Sequence, residues 1–398
     1  MNILIVNNYS LQENTPLGIT LRNLLFHYNL MEVYNLRSVK YQDQQLPYFE
    51  SFQISKNKKI INDMPFELRS KFNKVRYAKI KEYVKYTKSL FHVLSKKNIQ
   101  RIKEFNPDII YTIGESYFAI NFSSYLSKLL DINVIYHFMD NWIDTSFNIV
   151  KNRLINRLIL GKIYNQMTKS RNALVISDLM KKEYENRFKN IEFHVIGNIL
   201  TNNNLTNLGL KDGKEFQLLY MGGLHIGRIE TIMEMCKLLD SQRLMNVPFM
   251  FNIYVPKGHY NKYQHLFNFK NSRIFNEVDN TKAQVLIRKA DILIHVESFK
   301  QENIEYTKYS LSTKITEYIS AGRPIIIYGP SEINSAQYIV NNQIGFNATT
   351  IDSLIVYLQN IIQNYDEIAQ KINANSSLLF NKRHSYEYRN SIFNKLKG

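Results

Sequence analysis

One cysteine, one tryptophan, eight prolines and fourteen glycines occur in 398 residues. The lone Cys236 excludes an internal disulfide and every zinc site built on several cysteines. It falls in Ile-Met-Glu-Met-Cys-Lys-Leu-Leu, a stretch with helical spacing, and is expected in the core. No run of about 18 apolar residues is present, so no membrane-spanning helix is expected. The first nine residues lead straight into a short apolar strand and show neither a basic n-region nor a small-residue cleavage site. The expected location is therefore the cytoplasm. One glycine, Gly18, stands in the first loop where dinucleotide folds use three, which excludes a GxGxxG site. There is no fixed-period repeat and no low-complexity tract.

Acidic residues are also scarce, 34 against 51 Lys and Arg, for a formal charge of +17. That balance favours an anionic partner, whether nucleotide, phospholipid surface, lipid phosphate or nucleic acid, and part of it reflects a source rich in Asn, Lys, Ile and Tyr. The length is large for one core and predicts two domains of about 150–200 residues each.

Strands and helices alternate. Apolar runs at 2–7, 31–36, 107–113, 134–139, 173–176 and 193–196 read as strands, with helical patterns between most of them. Residues 41–65 read as irregular. Residues 66–105 read as a basic helix, in which Lys71, Lys74, Lys85 and Lys88 interleave with Phe72, Val84 and Phe91. Such a stretch can lie on an anionic membrane, although a solvated helix face over a core stripe explains it better. The Asn-rich segment 199–214 breaks the pattern, which restarts with a strand at 216–220, the glycine-rich loop 221–228 and a helix at 229–239. Further strands are predicted at 249–255, 274–278, 290–296 and 325–328, and helices at 281–289, 351–362, 365–372 and 386–396. Buried parallel strands joined by helices predict two doubly wound α/β domains.

Three places carry chemistry. In Met221-Gly222-Gly223-Leu224-His225-Ile226-Gly227-Arg228 the paired glycines let backbone approach a phosphate, and Arg228 at the helix start can clamp it. In Ser312-Thr313-Lys314-Ile315-Thr316-Glu317 a capped helix start carries hydroxyls and a cation. Glu317, one turn on, can accept from ribose hydroxyls, Gly322 ends the helix and Pro324 prevents its continuation. Tyr136-His137-Phe138-Met139-Asp140-Asn141-Trp142 is a strand ending in polar groups, which makes His137, Asp140 and Trp142 candidates for contact with an acceptor.

Together with the strand tip 290–298, these stretches resemble in order and spacing the retaining GT-B glycosyltransferases of the family 4 type. These enzymes build bacterial polysaccharides, glycolipids and glycoproteins. The resemblance implies two Rossmann-like domains facing a central cleft. An acceptor-side domain would occupy 1–200, with the last helix, 384–398, packing back on it, and a donor-binding domain 210–380. It implies a nucleotide-sugar donor, commonly a UDP-sugar, and a carbohydrate or lipid-linked acceptor; the excess positive charge fits a lipid-linked, anionic acceptor and peripheral contact with an anionic membrane at its inner face. Gly222, Gly223 and Arg228 would meet the diphosphate, Ser312, Thr313 and Lys314 would add donors, Glu317 would bind ribose, and Gly18 would close on the donor. His137 and Asp140 would stand near the transferred sugar. No cofactor and no metal is implied.

Two positions depart from the family pattern. Tyr309 stands where a second glutamate is common, and Met233 where a lysine is common; Lys314 or Lys308 would replace the cation, and Glu305 or Glu297 the glutamate. A nucleotide-sugar epimerase of similar architecture and a basic nucleic-acid-binding protein are the alternatives. Against the latter, there is no zinc-finger spacing, RNP-like aromatic segment or helix-turn-helix pattern.

Overall fold

A computed structural model describes residues 1–11, 16–35, 48–54, 83–145, 153–200, 215–241 and 248–396. The chain divides into two units, one of residues 1–198 with 389–398 and the other of 199–388.

The first unit holds β1 (Asn2–Asn7), β2 (Asn29–Tyr34), β3 (Tyr48–Gln53), β4 (Ile109–Thr112), β5 (Val134–Phe138), β6 (Asn172–Val175) and β7 (Glu192–Val195). All are parallel, in the order β3-β2-β1-β4-β5-β6-β7. The chain starts in the middle of the sheet, moves out to β3, then returns to β4 on the other side of β1. The second unit repeats the device with β8 (Phe216–Met221), β9 (Phe249–Val255), β10 (Ser272–Asn276), β11 (Ile292–Val296), β12 (Ile325–Tyr328) and β13 (Gly345–Ala348), ordered β10-β9-β8-β11-β12-β13. Helices on the sheet faces leave β11 and β12 almost without exposed surface, which is why these strands read as unbroken apolar runs. Cys236 lies in the core of this unit with no exposed surface, and burial pushes its thiol up to about 12.

Several local expectations need correction. Helix Pro16–Leu25 begins before Gly18, because proline suits the first helical position, so Gly18 is a buried helical residue and not the end of a loop. Tyr48–Gln53, read as irregular, is an edge strand in register with β2. The basic stretch 66–105 is described only from 83, and there it is two helices, 83–90 and Lys96–Phe105. Ser95 starts the second by accepting from the Asn98 N–H at 3.2 Å. Helix Asn334–Asn341 and β13 were not anticipated. The Asn-rich break falls largely on 201–214, outside the described residues.

In the last helix, Tyr386–Leu396, Arg389 is 1% exposed and donates from Nη1 to the carbonyls of Leu24 and Phe26 at 3.2 and 2.6 Å. Among the described residues no helix is long and apolar enough to cross a membrane.

Candidate active site

In an open parallel sheet, ligands bind beyond the carboxyl ends of the strands where the strand order reverses. In the second unit that place lies between β8 and β11, which are hydrogen-bonded neighbours although their residues are more than 70 positions apart. The loop 222–227 leaves β8 there, and Glu297 follows the last residue of β11.

The loop is shaped by its aromatic neighbours. The Tyr220 hydroxyl donates to the Gly223 carbonyl at 2.8 Å. A Cβ on Gly222 would stand 2.8 Å from the Tyr220 hydroxyl, so a larger residue there would have to displace that ring. The Met221 N–H donates to the Tyr318 hydroxyl at 3.0 Å, which ties the end of β8 to helix Thr313–Ile319. The Leu224 N–H donates to His259 Nδ1 at 3.0 Å, so Nε2 carries the proton of that imidazole. Gly227, at φ 70°, is the N-cap of helix Arg228–Asp240 and supplies no side-chain cap. The first N–H of the helix, that of Arg228, donates to the His225 carbonyl at 3.3 Å, and the amides that follow receive no side-chain cap from Gly227.

Arg228 is the first residue of that helix. It spans the switch point, donating from Nε to Glu297 Oε2 at 3.1 Å and from Nη2 to Glu297 Oε1 at 2.7 Å. His295 Nε2 donates to the same Oε1 at 2.9 Å. Burial by itself would raise the Glu297 carboxyl, but Arg228 and His295 hold it down to about 2. The charge of Glu297 outweighs burial on Arg228 too and keeps its guanidinium firmly protonated. Burial, with the neighbouring charge of Arg228, lowers His225.

Helix Thr313–Ile319 begins at Ser312 and is followed by Gly322 at φ 62° and then β12. Ser312 supplies no side-chain cap, and its N–H donates to Ser335 Oγ at 3.4 Å. Lys314 Nζ donates to both Glu317 carboxylate oxygens, at 3.2 and 3.0 Å. Gly222, Gly223, Arg228 and the start of this helix therefore share one edge of one sheet. Of the substitutes for the missing family residues, Glu305 is exposed, Lys308 lies over the Tyr309 ring, and both oxygens of Glu297 are engaged by Arg228 and His295.

In the first unit His137 and Asp140 separate. His137 has no exposed surface; its Nε2 donates to the Ile196 carbonyl at 3.0 Å, so Nδ1 is left to accept from the Tyr111 hydroxyl at 2.6 Å. Burial lowers this imidazole to about 3, and it stays neutral. Asp140, just past β5, is exposed. Trp142 is buried and stacks on Phe138 with ring centroids 5.2 Å apart.

The sequence offers Glu297 only as a replacement sugar ligand and gives Glu115, at the carboxyl end of β4, no role. Their position at a strand end was the sole signal.

Residues 261–386 match the family model described as glucosyltransferase 3-like, C-terminal domain. None of the curated proteins matches this chain. Among solved structures, Anabaena Alr3699/HepE in complex with UDP is similar at 12% identity and TM-score 0.65, over 99% of both chains. WaaG, a glycosyltransferase involved in lipopolysaccharide biosynthesis, is similar at 11% identity and TM-score 0.58 over all of both chains. A glycosyltransferase from Rickettsia africae is similar at 15% identity and TM-score 0.60, over all of this chain and 97% of that one. The two parallel-sheet units thus have the GT-B fold, and part of the second matches a glucosyltransferase-like domain model.

Proposed function

We propose that this protein is a glycosyltransferase that moves a sugar from a nucleotide-sugar donor to a hydroxyl of a polysaccharide, glycolipid or glycoprotein acceptor. The observation that carries this reading is Arg228 at the switch point of the second sheet, beside a glycine-rich loop and at the start of a helix that lacks a side-chain cap. A cation and oriented amides in that position suit a diphosphate leaving group, whose developing charge is the main thing such a transfer must stabilise. Lys314 lies on the same sheet edge, and Glu317, released from Lys314, can accept from ribose hydroxyls. The matched domain model is glucosyltransferase-like, and the Anabaena neighbour was solved with UDP, which favours a uridine donor.

The charge handling rests on Arg228, Lys314 and amide groups, so the reading includes no metal, and a chelator should leave turnover unchanged. Net retention and kinship with the family 4 transferases fit the motif order. On the acceptor side, exposed Asp140 is the candidate contact, and His137 braces the strand end behind it. Peripheral binding to an anionic membrane has support from helix Arg153–Ser170, whose exposed Leu154 and Leu158 alternate with Arg153 and Arg157. Sedimentation with anionic against neutral vesicles tests that part.

The direct test is calorimetric titration with UDP, GDP, ADP and CMP, repeated on Arg228→Ala and Glu317→Ala. Binding of one nucleotide, weakened in both folded variants, supports the reading. Absence of binding by all four would overturn it.

A further inference from the structure

An arginine carries five N–H donors, and the Arg228–Glu297 pair leaves part of them unused. Glu297 takes Nε–H and one Nη2–H. The remaining Nη2–H and one Nη1–H form a second two-pronged edge of the same plane, the other Nη1–H lies on the Cδ side, and among the described residues no hydrogen bond is made by Nη1. Glu297 is 3% exposed, whereas the Arg228 side chain retains 14%. The Glu297 side chain is sealed, and the Arg228 side chain keeps some exposed surface.

Everything around the pair fixes it. Thr231, one turn along the same helix, donates from Oγ1 to the Glu297 carbonyl at 3.1 Å, so helix Arg228–Asp240 grips residue 297 by side chain and backbone. A Cβ on Gly227 would meet Asn303 Nδ2 at 2.7 Å, which shows how closely the helix start presses on the segment after β11. His295 adds a second donor to the Oε1 oxygen that Arg228 Nη2 holds. A buried ion pair contributes little net stability as a rule. What this one supplies is orientation: a long, flexible side chain is held in one pose with its free edge open, so an incoming dianion need not immobilise it.

We propose that Glu297, aligned by His295, is a positioning residue that holds the Arg228 guanidinium with its Nη1–Nη2 edge open to the diphosphate of a nucleotide donor. The inference rests on the donor-site reading above. It places Glu297 behind the arginine, out of contact with the sugar.

The test is a double-mutant cycle on UDP affinity, measured by calorimetry on the full chain for wild type, Arg228→Ala, Glu297→Gln and the double variant, with UMP as the second probe. Glu297→Gln should weaken UDP about tenfold and UMP less than twofold, because the contact concerns the second phosphate. The double variant should bind UDP no more weakly than Arg228→Ala alone. If Glu297→Gln does not fold, Glu297→Asp serves in its place, with the same loss of preference for UDP over UMP. Unchanged UDP affinity in the Glu297 variant, or losses that multiply in the double variant, overturns the positioning role even though Arg228 matters. A wild type that binds no UDP, or an Arg228→Ala variant that binds it normally, removes the donor site itself and the inference with it.

Discussion

The backbone N–H of Asn8 donates to Glu115 Oε1 at 2.7 Å, joining the carboxyl ends of β1 and β4 at the switch point of the first sheet. The second Glu115 oxygen is buried without a partner among the described residues. It is the counterpart, in the first unit, of the link that Arg228 and Glu297 make between β8 and β11.

Burial pushes the Glu115 carboxyl up to about 7, against an ordinary value of 4.5, despite the bond from Asn8. Between those values the unfolded chain has released a proton that the folded chain keeps, so this group lowers stability as pH rises from 4.5 through 7. Glu115→Gln cannot ionise. Its urea midpoint relative to wild type should therefore be higher at pH 8 than at pH 4.5; an equal difference at both would show an unshifted carboxyl.

Glu297 has the opposite sign. Its carboxyl is held near 2, so the stability it contributes is fully present above 4.5 and fades as pH falls towards 2. The gap in stability between wild type and Glu297→Gln should narrow over that acid range, as followed by circular dichroism.

Arg389 donates to two carbonyls near the start of β2 and lies 4.8 Å from the centre of the Tyr28 ring. Arg389→Ala leaves the Leu24 and Phe26 carbonyls without that partner and removes the ring contact. A loss of about 3 kcal/mol is expected in urea unfolding, from about 1–3 kcal/mol per buried unpaired group. Wild-type stability in this variant would show that the last helix is not held by these bonds.

Tyr318 has no exposed surface, and its hydroxyl accepts from Met221 N–H. Tyr318→Phe keeps the packing and strands that N–H, at a cost of about 1–3 kcal/mol. Because Met221 starts the glycine-rich loop, weaker UDP binding should accompany the lower melting temperature.

His137 is a structural test of another kind. His137→Phe should remove the partners of the Tyr111 hydroxyl and the Ile196 carbonyl and cost about 2–4 kcal/mol. The imidazole is held near 3, so wild-type stability from this group declines as pH falls from 6.5, and that decline should be missing in the variant.

The alternation of strands and helices was legible because each element carries its own signal. In 310–330 the helix start, the glycine at φ 62° and the β-branched strand follow from neighbours a few residues apart, and the structure places them at Thr313–Ile319, Gly322 and Ile325–Tyr328. Helix Asn334–Asn341 and β13 escape a local reading because they are short, and Tyr48–Gln53 because an edge strand lacks the unbroken apolar run of a buried one.

Local spacing in the chain is enough to place two parallel α/β units, the glycine-rich loop and helix Thr313–Ile319 of the second, and Arg228 at a helix start, whereas the side-chain cap expected from Ser312 does not form. What Arg228 and Asn8 touch depends on how the strands assemble. Glu297 is 69 residues from Arg228 and Glu115 is 107 from Asn8. No pattern in the intervening residues records these pairings; they arise because the sheet order sets β8 beside β11 and β1 beside β4. The same burial that closes the sheets then moves Glu297 and Glu115 in opposite directions, since one carboxylate meets a guanidinium and the other leaves an oxygen unpaired.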